Sequence, residues 1–237
     1  MFRKALDKDK LEKKDKFKWR SHEITRIEAF TDAVFAFAVT LLVVSLEVPN
    51  NFEELVHKMK GFLAFAVGFT LLMQIWYGQF VFFRRYGLQD MKCIILNLIL
   101  IFVVLFYVYP LKFLFNLILT PSDVSSAIHI TQSQSSDLMI IYGIGFMAIY
   151  IVFVFLYHHA FTKSAEMGLT KKEIFDTRSK MYANEVMVSI GLLSILTAAL
   201  LPLGLAGLSG FVYILISPAL TIFWRKRNKR RKLIFND

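Results

Sequence analysis

Six apolar runs decide what this chain can fold into. They cover Ile27 to Val48, Gly61 to Phe83, Cys93 to Leu119, Leu138 to Phe161, Val186 to Leu205 and Leu208 to Trp224. A helix of about 20 mostly apolar residues crosses the hydrocarbon of a bilayer, where every backbone group must be satisfied within the spanning structure itself. With 56% of the 237 residues hydrophobic and 19% charged, the chain is too apolar for a soluble domain. The expected fold is an all-α integral membrane protein with six transmembrane helices per subunit. The last two runs are short, and "PLGLAGLSG" between them reads as a tight helical hairpin. Pro110 and Lys112 in the third run predict a kink, with the lysine stem reaching for the nearer interface.

The basic residues give the orientation. Twenty-five of the 28 Lys and Arg lie before the first run, between the second and third, between the fourth and fifth, or after the sixth. The alternate loops hold only Lys58 and Lys60, and Lys112 lies within the third run. Short cytoplasmic loops collect Lys and Arg, so an even number of spans with both termini cytoplasmic follows. The chain divides into a basic cytoplasmic N-terminal segment, residues 1–25, a six-helix transmembrane domain, 26–224, and a basic cytoplasmic tail, 225–237. No cleavable signal is expected, because the first apolar run is too long for one and leads into further spans. A multi-pass protein of the cell membrane, plasma or inner, is the expected location.

A net charge of +10 raises the question of nucleic acid, but no recognition motif accompanies it, and topology and anionic lipid account for the charge better. The single cysteine, Cys93, excludes an intrachain disulfide and reads as a small buried residue. No nucleophile elbow, zinc-binding helix pair or phosphate-cradling glycine loop is found, so the chain is not expected to be an enzyme or to need a cofactor. His158 and His159 read as interfacial residues, His22 and Glu23 as a cap before the first helix, and Asn97, Asn116 and Asn184 as bonds between helices. The loops are short, so function must lie among the helices.

The first span carries Arg26, Asp32 and Glu47, and charge in a spanning helix costs about 2.5–3.5 kcal/mol at its centre. At about 100° per residue, Arg26, Phe30, Ala33, Phe37, Thr40, Val44 and Glu47 share one face. Asp32 lies about 140° round from Phe37 on the same geometry, so partners on neighbouring helices are expected to hold it. If identical subunits surround an axis and this face meets it, each rung becomes a ring: aromatic, hydroxyl, aliphatic and, at the outer mouth, the Glu47 carboxylates. The plainer alternative is that Phe37, Thr40 and Val44 only pack, with the Thr40 hydroxyl bonded back to its own helix.

The run "RIEAFTD", Arg26 to Asp32, resembles the Arg-x-x-x-Phe-Ser/Thr-Asp signature on the first helix of the transmembrane protein 175 family of endosomal and lysosomal potassium channels and their prokaryotic relatives. One copy of the motif and six spans are similar to the prokaryotic, single-repeat members. The resemblance implies a homotetramer, potassium as permeant ion and a central pore lined by helix 1. It places the hydrophobic constriction at Phe37, the selectivity ring at Thr40 and further lining at Leu41 and Val44. Arg26, Phe30, Thr31 and Asp32 become a structural network at the motif. Relatives usually carry isoleucine or leucine where this chain has Phe37, and often a histidine after the tryptophan matching Trp76; this chain has Gln79, Arg84 and Arg85 after Trp76 but no histidine, so that role is not carried over. Nothing resembles a Thr-Val-Gly-Tyr-Gly filter, so side chains and a narrow bore must discriminate between ions. The expected function is a potassium-permeable cation channel; the alternatives are a secondary transporter using Asp32 as an intramembrane ion or proton relay, or a membrane scaffold. Expected partners are further copies of the chain, membrane lipids and potassium ions, with no nucleic acid and no metal beyond the permeant ion.

Overall fold

A computed structural model describes residues 17–21, 23–44, 51–60, 62–119 and 131–235. Among them every regular element is helical: α1 (Arg26–Val44), α2 (Phe52–Lys60), α3 (Phe62–Tyr86), α4 (Met91–Leu119), α5 (Gln132–Thr162), α6 (Lys171–Leu200), a 3₁₀ helix (Leu203–Leu215) and α7 (Ile216–Phe235). Five helical stretches among the described residues are long and apolar enough to cross a membrane: Phe65–Tyr86, Met91–Leu111, Ser133–Thr162, Lys171–Leu200 and Leu205–Phe235. The chain is a membrane protein. The α1 helix has 19 residues and packs against α3 and α4, while α5 and α6 form the most extensive pair and the 3₁₀ segment lies across both.

Local chemistry sets the ends of the long helices. The α5 and α6 helices each open with a capping box. Thr131 accepts from the backbone of Gln134, whose side chain accepts from Thr131, and Thr170 and Glu173 repeat the exchange. Gly87 ends α3 in the left-handed conformation at φ 61°, and its N–H donates to the Phe83 carbonyl at 2.8 Å. Gly168, at φ 62°, turns the chain into α6 in the same way.

The helices differ from the apolar runs in three places. A separate short amphipathic helix, α2, precedes α3 where the sequence suggested only loop. The α6 helix begins at Lys171 rather than Val186, so it has 30 residues, about 45 Å at 1.5 Å per residue, and overshoots the roughly 30 Å of hydrocarbon. Its charged first turns stay helical because other elements satisfy them. After the break at Leu201–Pro202, the returning arm starts as thirteen residues of 3₁₀ helix and continues as α7 through the basic residues to Phe235. The third run is a continuous helix through Pro110, whose carbonyl accepts from the Tyr142 hydroxyl at 2.6 Å. The Lys112 and Asn116 side chains lie outside the described residues.

The core is most aromatic where α3 ends. Phe82 meets Tyr86 and Tyr157 at centroid distances of 5.0 and 5.3 Å, and Phe17 from the N-terminal segment caps Tyr86 edge-on at 5.5 Å. The Tyr86 hydroxyl meets the Thr177 hydroxyl of α6 at 2.8 Å. His159 at the end of α5 is 2.7 Å from the Asp90 carboxylate just before α4, and Cys93 is buried one turn into α4. His158 is exposed, and Asn184 bonds to the Lys180 carbonyl of its own helix rather than across to another.

Residues 17–21 run across this end of the bundle as a strap. Arg20 grips Glu173 through two parallel bonds, Nη1 to Oε1 at 3.1 Å and Nη2 to Oε2 at 2.9 Å, and its Nε donates to the Met167 carbonyl at 3.1 Å. The Lys18 N–H donates to Glu173 Oε1 at 3.1 Å, and the Arg20 N–H donates to the Arg84 carbonyl at 3.1 Å.

Candidate functional site

Two opposed faces organise α1. Glu28, Thr31, Phe35, Ala38 and Leu42 recur at three- and four-residue steps and are all buried. The opposite side carries Arg26, Phe30, Ala33, Ala36, Phe37, Thr40 and Leu41, all exposed in the single subunit, with Phe37 at 57% and Leu41 at 45%.

Polar bonds fix the buried face. Asn97 Nδ2 donates to Thr31 Oγ1 at 2.7 Å, Gln79 Nε2 donates to Asn97 Oδ1 at 3.2 Å, and Thr31 passes its own proton to the Ile27 carbonyl at 2.7 Å. Thr31 and Asn97 are 0% exposed and Gln79 is 1%, so this chain of bonds joins α1, α4 and α3 out of reach of water. Each bond answers a group that would be costly to leave unpaired there. Nearer the start of α1, the Glu28 carboxylate accepts from Thr25 Oγ1 at 3.3 Å and Ser21 Oγ at 3.5 Å and lies 3.9 Å from Arg84 Nε.

The motif residues divide between the faces. Thr31 belongs to the buried chain of bonds, and Asp32 Oδ1 accepts from the Trp76 indole at 2.8 Å. Arg26 and Phe30 point away from the subunit and form no polar contact or ring pair with another described residue. Glu28, Gln79 and Asn97 complete the bracing. Glu28 is masked in the sequence by the charges around it, whereas a buried amide one turn after Trp76 is a signal that Gln79 does carry.

On the outward face, the Thr40 hydroxyl donates to the Ala36 carbonyl at 3.0 Å. The back-bond to its own helix is therefore present, but on an exposed residue. With the proton committed inward, the remaining lone pairs of Oγ1 are available to a cation or water on the open side. Phe37 and Leu41 flank this oxygen on the same surface. The Val44 side chain and all of Glu47 lie outside the described residues.

The profile of the family described as endosomal/lysosomal potassium channel TMEM175 matches residues 26–107, which include α1, α3 and their bonded partner Asn97. A potassium channel of Marivirga tractuosa is 40% identical, with the alignment covering 93% of this chain and 94% of that one. A potassium channel of Chamaesiphon minutus is 30% identical over 59% of this chain and 67% of its own length. Among solved structures, a threonine-to-alanine variant of the potassium channel MtTMEM175, in complex with a nanobody–MBP fusion protein, superposes with a TM-score of 0.80 at 40% identity, covering 90% of this chain and 97% of that one. The structure of a lysosomal potassium-selective channel TMEM175 homolog from Chamaesiphon minutus has the same fold, with a TM-score of 0.56 at 24% identity over 86% of this chain and 97% of that one. These relatives are ion channels and not enzymes. With a relative this similar along nearly its whole length, and with the family signature on the helix that α3 and α4 brace, the chain belongs to the TMEM175 family as a prokaryotic member.

Proposed function

We propose that the chain is a potassium-permeable cation channel of the cell membrane, built from four copies whose α1 helices line a central pore. The observation that carries this reading is the outward face of α1. It presents the Thr40 oxygen between Phe37 and Leu41, all three exposed on the single subunit, where a water-filled axis among further copies would use the oxygen and lipid would not.

On this reading each subunit contributes one rung at every level. Four Phe37 rings form a constriction that dewets when the rings lean inward. Four Thr40 oxygens, their protons turned back to Ala36, replace part of the hydration shell of an ion, and they favour potassium because its shell is less tightly held. Leu41 and Val44 continue the lining outward, and Glu47 draws cations to the outer mouth. Arg26 and Phe30 face neighbouring subunits, while Thr31 and Asp32 hold α1 against α4 and α3. Six crossings place both termini in the cytoplasm, in keeping with the charge asymmetry of the loops.

Reconstitution into liposomes with an outward potassium gradient tests the proposal. The expected result is a potassium flux that rises when Phe37→Ala widens the constriction. No flux from either protein would overturn it.

A further inference from the structure

Beyond the conduction pathway, the bundle holds a second polar feature where α6, α7, the end of α3 and the N-terminal strap meet. A cavity of about 370 Å³ is lined by Arg85, Lys180, Arg227 and Arg231, with Asp176 as the one carboxylate among them. Asp176 is matched by Arg231, at 3.1 Å. Arg227 has no carboxylate partner among the described residues. Its Nε donates to Ser179 Oγ at 2.9 Å, and its guanidinium lies over the Phe175 ring at 4.3 Å. The arginine is thus held in one orientation, with Asp176 acting on it only from beyond ion-pair distance, which leaves its donors open to an anion.

A groove of about 240 Å³ adjoins this cavity, and Lys180 and Trp224 line both. The groove is walled by Gly78, Tyr150, Phe153, Met187 and Leu220. Its direction follows from the helices. Met187 lies about two turns beyond Lys180 toward the apolar centre of α6, and Leu220 lies one turn before Trp224 on α7, away from the basic residues. One continuous depression therefore passes from a cationic end, through the Lys180 ammonium held 5.2 Å over the Trp224 ring, to an apolar end within the spanning part of the bundle.

We propose that this depression binds one anionic phospholipid per subunit, with the phosphate between Arg227 and Lys180 and an acyl chain along Phe153, Met187 and Leu220. A free phosphate would use the cationic end alone and leave the groove unexplained; a zwitterionic lipid would gain less from the net positive lining. The cavity is lined by Phe17 of the strap as well as by α6 and α7, so occupancy would add a further tie between these elements.

The test uses the full-length protein reconstituted in phosphatidylcholine vesicles with or without phosphatidylglycerol, extracted in mild detergent and weighed intact with its retained lipids. The expected result is selective retention of phosphatidylglycerol by the wild type. Arg227→Gln and Lys180→Gln should each lower retention about fivefold, the effect of roughly one cation at an anionic lipid surface, while Arg225→Gln on the same helix leaves it unchanged. Leu220→Trp, which fills the apolar end and leaves every cation in place, should also lower retention; it keeps the test decisive should a charge variant fail to fold. Equal retention of both lipids by the wild type, or wild-type retention by both the charge and the groove variants, overturns the proposal. So does displacement of phosphatidylglycerol by excess inorganic phosphate, which would make the site one for a free anion.

Discussion

The indole nitrogen of Trp76 donates to the Asp32 carboxylate at 2.8 Å, so an acid two turns into α1 is tied to the middle of α3. The bond fits the bracing role proposed for Asp32 rather than the relay of the transporter alternative, and the two are separable by substitution. Asp32→Asn keeps an acceptor for the indole and should preserve potassium flux. Asp32→Ala and Trp76→Phe remove one side of the bond and should lower the thermal midpoint in detergent, at a cost of about 1 kcal/mol. Loss of all flux in Asp32→Asn with an unchanged midpoint would favour the relay.

Thr40 offers a separate handle on selectivity. Thr40→Ala should shift the reversal potential in mixed potassium and sodium toward the value for no preference, whereas Thr40→Ser, which keeps the hydroxyl and its bond to the Ala36 carbonyl, should hold it near wild type. Bi-ionic recordings on both variants make the comparison. Equal potentials in wild type and Thr40→Ala would remove the threonine ring from the account.

Geometry alone can be tested without any current. In native membranes, Thr40→Cys in a background lacking the buried Cys93 should form disulfide-linked pairs of subunits under mild oxidation. Val39→Cys, one residue round the helix toward the packed side, should not. The readout is a doubled mass on a non-reducing gel. Failure of Thr40→Cys to couple would place that face against lipid.

Asn97 is the shared member of the dry bonds linking α1, α4 and α3, donating to Thr31 and accepting from Gln79. Asn97→Leu leaves the Gln79 amide without an acceptor and should destabilise the subunit by about 1–3 kcal/mol, the cost of an unsatisfied buried polar group. Pairing it with Gln79→Leu should recover part of that loss. Thermal unfolding of the two single variants and the double variant measures the coupling.

How much of this was legible in the sequence depended on distance along the chain. The exposed and buried faces of α1 follow from local periodicity, which puts Phe37 and Thr40 on one side, whereas Leu41 entered only with the family motif. The inward half of α6 was not legible. Glu173, Asp176 and Lys180 read as a polar loop by hydropathy, yet they are helical where Arg20, Arg231 and Trp224, which are distant in sequence, meet them. The same holds for Glu28, whose partners Arg84 and Ser21 come from outside α1. The 3₁₀ stretch after Pro202 escaped for a different reason, since an apolar run does not reveal how tightly its helix is wound.

The clasp between Arg20 and Glu173 also limits how such a protein could open. Only a few residues separate Arg20 from the start of α1, and the strap is fastened to α3 and α6 at once. Swinging that root of α1 outward like a hinged door would unpick a paired guanidinium. If Phe37 forms the proposed constriction, the cheaper movement is a turn of its ring about its own side-chain bonds, which leaves the frame still and makes the iris, rather than the post that carries it, the moving part.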